Sequence, residues 1–325
     1  MTGLLLLGAD DLRRSLPMTE AIAAMKEAFA AVSAGLVSMP PRGAIDAGGG
    51  TTLLMGAAVP GLGLAGKTVS VFPGNAARGR PVVSGLVSVL DPETGEPVAV
   101  CDGAFLTAWR TGAASGAATD LLARPEASTL ALFGAGVQAR TQLLAVAAVR
   151  PLRLVRVWAP DPDGLRRFTA ETAAETGLEV VAAADPDEAL AGADVVCTAT
   201  TSPTPVFAGE RLEPGCHLNA VGAFTPQTRE LDATAVGRAR VFVDQRRAAL
   251  AEAGDLLLAE AESTTERGRW TELGEVVRNP GRGRRGPDEI TLFKSVGLAV
   301  QDVAAAARAV ARARRLGLGN LVELS

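Results

Sequence analysis

An apolar strand that runs into a glycine turn and then into a helix constrains the fold of this chain more than any other feature. Leu130–Phe133 is followed by Gly134-Ala135-Gly136 and by a helical pattern from Gln138. Strands and helices then alternate as far as residue 243, which indicates βαβ units on a parallel sheet. Glycines in such a turn let the backbone approach a pyrophosphate. The pattern predicts a dinucleotide-binding domain; a plain glycine turn is the alternative.

The first part of the chain has a different pattern. Thr19 is predicted to cap a helix over about 19–35, and the next predicted elements are strands. They lie at 51–58, 64–72, 82–90 and 97–101. The turn Asp91–Gly95 predicts a hairpin between the last two. We expect an α+β fold here, with a largely antiparallel sheet, followed by a helix over 103–123. A loop rich in Arg and Gly at 278–287 is interpreted as solvated, and a last helix is predicted at about 295–314.

Composition excludes several classes of protein. A chain of 325 residues that is 48% hydrophobic predicts two domains with sizeable cores. The net charge of −4 gives no basic face for nucleic acid. Three dispersed cysteines and one histidine, His217, predict neither a metal site nor disulfides, and His217 is interpreted as structural. Without a signal-peptide pattern or an apolar run long enough for a bilayer, no membrane association and a cytoplasmic location are expected.

The end of the strand at 154–158 bears on which nicotinamide cofactor would bind. An acid directly after this strand would contact the ribose of NAD, and a basic residue would suit the phosphate of NADP. Ala159 stands there, and Asp161 follows, which could reach the ribose or cap the next helix. Arg166 and Arg167 could meet a phosphate or form a solvated helix face. The choice between NAD and NADP stays open.

Three cations of the first part stand in apolar or small-residue surroundings. Lys67 lies in a strand-like run, where burial would require an anion, unless the side chain faces water from an edge strand. Arg42 precedes a strand, and Arg110 lies in a helix of small residues. Together these cations could bind one carboxylate.

Six segments resemble the ornithine cyclodeaminase/μ-crystallin family in the same order along the chain. They are MPPRGAID (39–46), GLAGKTVSVFPGN (63–75), VLDPETGEPVAVCDGAFLTAWRTGAASGAA (89–118), GAGVQAR (134–140), HLNAVGAFTPQTRELD (217–232) and EITLFKSVGLAVQD (289–302). The resemblance implies a substrate-binding and dimerisation domain of α+β type over 1–122 and 300–325. A Rossmann-type doubly wound parallel sheet for NAD(P) would be inserted over 123–299. It also implies a homodimer.

The resemblance further implies roles for individual residues. Lys67 and Arg110 would be catalytic, and Arg42, Lys67 and Arg110 would bind the substrate carboxylate. The substrate would also contact Met55, Phe224 and Val296. The cofactor would contact Arg110, Thr111, Gly134, Gly136, Val137, Gln138, Asp161, Thr200, Leu218, Asn219, Ala220, Val221 and Ser295.

Two departures from the family narrow the expected substrate. Cyclodeaminases carry an aspartate where this chain has Phe224, and the acid expected before Lys67 is missing from Thr52–Met55. A site without these acids does not favour a diamino acid. We therefore expect an NAD(P)H-dependent oxidoreductase acting on C–N bonds, which reduces a cyclic ketimine carboxylate of the Δ1-pyrroline-2-carboxylate or Δ1-piperideine-2-carboxylate type to the L-amino acid. An alanine-type dehydrogenase, an ornithine cyclodeaminase and a non-enzymatic, crystallin-like NAD(P)H-binding protein are the alternatives.

Overall fold

The computed structural model describes residues 3–262 and 269–323 and divides into two compact units. The first unit runs to Arg110 and resumes at Leu298, and the second extends from Thr111 to Gly297. The helix over Gly103–Leu122 begins in the first unit and ends in the second. The boundary drawn from the sequence, after residue 122, follows the end of this helix, whereas the boundary between the units falls inside it.

The first unit combines strands with long helices at both ends of the chain. In chain order its elements are β1 (Leu4–Leu7), α1 (Ala9–Ser15), α2 (Met18–Ser33), β2 (Gly43–Asp46), β3 (Thr51–Val59), β4 (Gly63–Val71), a 3₁₀ turn (Pro73–Arg78), β5 (Val83–Leu90), β6 (Pro97–Asp102), α3 (Gly103–Leu122), α11 (Ala299–Leu316) and β15 (Asn320–Val322). The seven strands form one sheet in the order β15-β1-β6-β5-β4-β3-β2, in which only β1 and β6 run parallel. The helix α11 packs on β3, β4 and β5 and on α2, so it covers one face of the sheet.

The second unit alternates strands with helices from its first strand onward. In chain order its elements are β7 (Thr129–Phe133), α4 (Val137–Ala147), β8 (Leu154–Trp158), α5 (Pro162–Thr176), β9 (Glu179–Ala182), α6 (Pro186–Leu190), β10 (Val195–Thr198), a 3₁₀ turn (Gly209–Arg211), β11 (His217–Ala220), α7 (Ala233–Arg238), β12 (Ala239–Val243), α8 (Arg246–Glu252), α9 (Gly254–Ala261), β13 (Thr271–Glu272), α10 (Leu273–Arg278), a 3₁₀ turn (Pro280–Arg282) and β14 (Ile290–Lys294).

The sheet of the second unit is parallel throughout, in the order β13-β12-β14-β11-β10-β7-β8-β9. Hydrophobic clusters cover both faces, and β7 contributes alternately to each, with Ala131 and Phe133 on one side and Leu130 and Leu132 on the other. Burial of both faces is typical of a doubly wound sheet. The predicted fold class, a Rossmann-type sheet together with an α+β part, is confirmed.

Local predictions failed where neighbouring segments decide the structure. The cap assigned to Thr19 is wrong, because the helix begins at Met18 after Pro17, whose ring fixes the entry angle of the chain. The strand Ile290–Lys294 was not predicted. It is buried at every position and therefore lacks the alternation that marks a half-exposed strand. Among the helices of the described residues, none has both the length and the apolarity needed to cross a membrane.

Candidate active site

Lys67 occupies a core-facing position in the sheet of the first unit. It lies in the middle of β4, directly opposite Met55 on β3 and Val87 on β5. Residues opposite one another in antiparallel strands project to the same face, and Val87 is completely buried while Lys67 is only 3% exposed. The alternative of an edge-strand lysine facing water is therefore wrong. A lysine buried in this way needs a counter-ion.

The counter-ion is Asp302, in the first turn of α11. Its Oδ2 lies 2.6 Å from Lys67 Nζ, and its Oδ1 lies 3.3 Å from Nε of Arg110, which α3 supplies. Arg110 also donates to Oε1 of Gln301 at 2.9 Å, and that oxygen accepts the backbone N–H of Leu298 at 2.7 Å. A strand and two helices thus bring together two cations and one carboxylate, all nearly excluded from water.

This cluster carries more positive than negative charge. Among the described residues, Lys67 and Arg110 share the carboxylate of Asp302, and the half-buried Arg42 lies close enough to disfavour the ammonium of Lys67. Burial lowers the pKa of Lys67 from 10.5 to about 8; Asp302 opposes this shift, and Arg110 and Arg42 add to it. An excess of buried positive charge favours binding of a further carboxylate.

The glycine turn of the second unit leaves room for a phosphate group. Gly134 has φ +109°, and a Cβ there would lie 2.6 Å from the carbonyl oxygen of Ala199, so the turn itself requires glycine. At Gly136, by contrast, a Cβ would meet nothing within 4 Å. Gly136 is the N-cap of α4 and supplies no side-chain cap, and Val137 beside it is 72% exposed. Uncapped N–H groups facing open space form a suitable anion site.

Several predicted cofactor residues come together at the carboxyl ends of adjacent strands. Gly134, Thr200, Val221 and Ser295 lie after β7, β10, β11 and β14, which are neighbours in the sheet. Ligands of doubly wound sheets bind at this edge. The Ser295 hydroxyl already donates to Asp244 at 2.9 Å.

Other predicted cofactor residues lie deeper in the second unit. Leu218 and Ala220 are core residues of β11, and Asn219 donates to Thr119 at 2.9 Å. Thr111 is 8% exposed in α3. Gln138 has a buried side-chain oxygen without a hydrogen-bond partner.

Asp161 acts as a helix cap in this structure. Its Oδ1 accepts the backbone N–H of Asp163 at 3.1 Å, at the start of α5. Arg166 is paired with Asp163, and Arg167 is exposed. The capping alternative for Asp161 is thus realised, and a ribose contact stays a prediction.

His217 and the cysteines have the properties of structural residues. His217 is completely buried between Thr291 and Asn219, and burial lowers its pKa to about 3. Burial also raises the pKa of the thiols of Cys101, Cys197 and Cys216 to about 12, which keeps them protonated. Within residues 3–262 and 269–323, no group of histidine, cysteine or carboxylate side chains could hold a metal ion.

Comparison with known proteins gives a consistent assignment. The model of the ornithine cyclodeaminase/mu-crystallin family matches residues 5–315. The chain belongs to this family. Its similarity to the Δ1-pyrroline-2-carboxylate reductase of Bacillus thuringiensis subsp. konkukian is 37% identity, over 98% of this chain and 100% of that protein.

Two solved structures of this family are closely similar. The Thermococcus litoralis Δ1-pyrroline-2-carboxylate reductase, in complex with NADH and L-proline, has a TM-score of 0.94 and 37% identity, with coverage of 98% of this chain and 99% of that one. An archaeal alanine dehydrogenase dimer with bound NAD has a TM-score of 0.91 and 32% identity, with coverage of 99% of both chains.

The loop between β11 and α7 carries Phe224, at the position where the resemblance to cyclodeaminases implies an aspartate. Phe224 is 40% exposed, whereas its neighbour Ala223 is buried. An aromatic ring at this position offers an apolar surface and no group that could accept a proton or pair with an ammonium. Val296, the other predicted substrate contact of the second unit, is 6% exposed and belongs to the hydrophobic core.

Sequence reasoning missed the carboxylates that organise both units. Asp302 in the first unit, and Asp244, Asp255 and Glu230 in the second, are almost completely buried. Asp244 accepts hydrogen bonds from the Ser295 hydroxyl and from the backbone of Val296 and Gly297. One signal was available: the chain has only three lysines, and Lys294, like Lys67, stands in an apolar strand that predicts a buried counter-ion.

Proposed function

We propose that this chain is an NAD(P)H-dependent reductase of cyclic ketimine carboxylates. The observation that carries the proposal is the buried cluster of Lys67, Arg110 and Asp302, whose excess positive charge suits one more carboxylate. The open glycine turn at Gly136 suits a pyrophosphate. Similarity over almost the full chain to two Δ1-pyrroline-2-carboxylate reductases supports the same reaction.

In this proposal the first unit binds and orients the substrate. Lys67 and Arg110, with Arg42 as a third cation, bind the carboxylate and so fix the neighbouring imine carbon, which contributes to catalysis by positioning. Bound nicotinamide supplies the hydride that reaches this carbon. A proton on the nitrogen completes the change from C=N to CH–NH. Lys67, with a pKa of about 8, can hold or release a proton at Nζ near neutral pH.

The second unit would bind the cofactor. Gly134, Gly136, Val137 and Gln138 would contact the pyrophosphate. The ribose and nicotinamide would contact Arg110, Thr111, Asp161, Thr200, Leu218, Asn219, Ala220, Val221 and Ser295. Ala159 follows β8 at the position where an acid would favour NADH and a base NADPH, and comparing oxidation of the two cofactors identifies the preferred one.

The substrate side chain would contact apolar residues. Met55 projects from the same face as Lys67, and Phe224 offers an exposed ring. Together with Val296, these residues suit the hydrocarbon part of a cyclic imine better than a chain that ends in a charged amine, which argues against a cyclodeaminase. Similarity to the archaeal alanine dehydrogenase makes an amino-acid dehydrogenase the second candidate.

A substrate screen tests the proposal. NADH and NADPH oxidation is measured with Δ1-pyrroline-2-carboxylate, Δ1-piperideine-2-carboxylate, and pyruvate plus ammonia, and ornithine turnover is followed separately. We expect oxidation with the cyclic imines. Oxidation with pyruvate and ammonia alone would establish the dehydrogenase instead, ornithine turnover without net NADH change a cyclodeaminase, and binding without any turnover a crystallin-like protein.

We further propose that the chain forms a homodimer through the sheet of the first unit. The face opposite Lys67 carries Ile45, Leu54 and Leu86, which are 53%, 45% and 57% exposed, and Leu54 and Leu86 flank Thr68 in register. Clustered exposed apolar side chains mark interaction surfaces. Light scattering tests the dimer; Leu86→Glu should yield monomers, and a wild-type monomer would refute it. The cytoplasmic location stays a prediction from the sequence.

A further inference from the structure

A buried carboxylate in the second unit accepts hydrogen bonds from two separate segments, which lie at the carboxyl ends of β10 and β11. Glu230 is completely buried. Its Oε1 accepts the N–H and the hydroxyl of Thr200 at 2.6 and 2.8 Å. Its Oε2 accepts the N–H of Gly222 at 2.7 Å and the hydroxyl of Thr198 at 2.8 Å. Burial raises the pKa of Glu230, and the hydrogen bonds from Thr200 oppose this shift because they favour the ionised carboxylate.

A buried ion pair also contacts this region of the second unit. Lys294 Nζ lies 2.6 Å from Oδ2 of Asp255, and both side chains are fully buried. Lys294 also donates to the carbonyl oxygen of Ala223 at 2.5 Å. Oδ1 of Asp255 accepts the N–H groups of Glu230 and Leu231 at 2.7 and 2.9 Å. We name Glu230, Asp255 and Lys294 the anchor cluster.

The contacts of the anchor cluster converge on one loop. Gly222 and Ala223 begin the loop between β11 and α7, and Glu230 and Leu231 end it. Between these fixed ends stands Phe224, whose ring is exposed although the backbone before it is bound by Lys294. The backbone next to Phe224 is therefore held by charged groups that are themselves completely buried.

Stability alone does not account for such a cluster. A buried ion pair is often no more stabilising than apolar residues of the same volume, because desolvation offsets the attraction. The charged groups instead fix the position of the loop, because each accepts or donates a hydrogen bond at a defined backbone atom of it. A side chain that must select between substrates differing by one methylene has to be held in place that closely.

We propose that Glu230, Asp255 and Lys294 are positioning residues, which fix the loop carrying Phe224 and so determine which size of imine ring the chain reduces. This inference rests on the proposed function for its substrate class. The placement of the loop can be measured without any turnover.

The first experiment measures the loop itself by amide hydrogen exchange. The variants are Lys294→Met and the double variant Lys294→Met/Asp255→Asn, with Lys26→Met on α2 as the matched control. Lys294→Met leaves the carboxylate of Asp255 buried without its cation and should destabilise the whole unit. The double variant removes both charges and should recover stability, but it cannot restore the bond to Ala223. We therefore expect faster exchange confined to residues 221–231 in the double variant.

The second experiment measures selectivity in the same proteins. The ratio of kcat/KM for Δ1-pyrroline-2-carboxylate to that for Δ1-piperideine-2-carboxylate should change at least about fivefold in the double variant, because one methylene in a well-fitted site is worth roughly tenfold or more. The change should lie mainly in KM. Affinity for NADH, followed by fluorescence, reports separately whether the cofactor site has moved through Thr200.

The outcomes separate the inference from the proposed function. Faster loop exchange with an altered ratio supports the inference. Unchanged exchange in the double variant, or faster exchange with the wild-type ratio, overturns it, because the cluster is then only part of the core. A wild-type protein that reduces neither imine contradicts the proposed function; hydrogen exchange alone then decides whether the cluster positions the loop.

Discussion

Replacing Asp302 with asparagine tests the role assigned to the charges around Lys67. The carboxylate lies 2.6 Å from Lys67 Nζ and 3.3 Å from Arg110 Nε, and the side chains of all three residues are at most 8% exposed. At an effective dielectric constant of about 20, charges separated by 2.6 Å attract by about 6 kcal/mol. The variant keeps the volume of the side chain and removes this attraction.

Two effects limit the resulting loss of stability. Desolvation of the ions already offsets part of the attraction, and Lys67 can release its proton instead of staying charged. At pH 7 deprotonation costs a lysine of ordinary pKa 10.5 about 5 kcal/mol. We therefore expect Asp302→Asn to lower the free energy of unfolding by about 3–5 kcal/mol, the usual range for breaking one side of a buried pair.

The sign of the pH dependence follows from Lys67. Its pKa is about 8 in the folded chain and 10.5 in its ordinary state, so between these values the unfolded chain binds more protons and stability rises with pH. Without Asp302 the pKa of Lys67 in the folded chain falls further. The pH range in which stability rises with pH therefore extends to lower pH. The deficit of the variant should therefore shrink as the pH is raised from 7 to 10.

Urea unfolding at pH 7 and at pH 10, followed by circular dichroism, measures this deficit. Asp163→Asn is the matched control, because it breaks an ion pair with Arg166 whose side chains are 83% and 70% exposed, and exposed pairs contribute little. An Asp302→Asn protein as stable as wild type at pH 7, or one with the same deficit at both pH values, would refute the reasoning.

Four further predictions concern activity, cofactor binding and stability. Lys67→Ala should lower kcat/KM with a ketimine carboxylate by at least about 100-fold, because a buried charged contact to the substrate is lost; near wild-type turnover contradicts the role of Lys67. In steady-state kinetics the KM of the wild type should rise as the pH passes about 8, where Lys67 loses its charge, whereas a flat profile to pH 9.5 argues against carboxylate binding by the ammonium. Gly136→Val should weaken NADH binding by fluorescence titration at least about 100-fold while leaving the melting temperature unchanged, because its Cβ meets only open space; Gly134→Ala should instead lower the melting temperature, since its Cβ would meet Ala199 at 2.6 Å.

Much of the fold could be predicted because it depends on local patterns. The alternation of apolar strands and helices after residue 128 determines the parallel sheet, and the turn at Asp91 has the side chain that closes it by accepting backbone N–H groups of Glu93 and Thr94. The edge strands β2 and β15 could not be predicted, because every residue of both is exposed and no hydrophobic pattern marks them. Their strand structure comes from pairing with β3 and β1.

In the candidate site, too, residues marked by a local pattern could be predicted and those placed by tertiary packing could not. Lys67 could be singled out because a lysine in an apolar strand is unusual, and Arg110 because it interrupts a run of small residues. Asp302 could not, because an acid in the first turn of a helix is ordinary and favourable there. Only the packing of α11 on β4 turns it toward Lys67, and that packing joins segments far apart in the chain.

The division of the first unit between two distant segments has a consequence for the order in which the protein matures on the ribosome. Lys67 is synthesised early, but its counter-ion Asp302 follows only after the whole second unit has been made. The strand β1 likewise lacks its antiparallel partner β15 until the end of the chain has been synthesised. A nascent chain can therefore complete the second unit during translation, while the segment made first lacks the counter-ion of Lys67 until Asp302 has been synthesised.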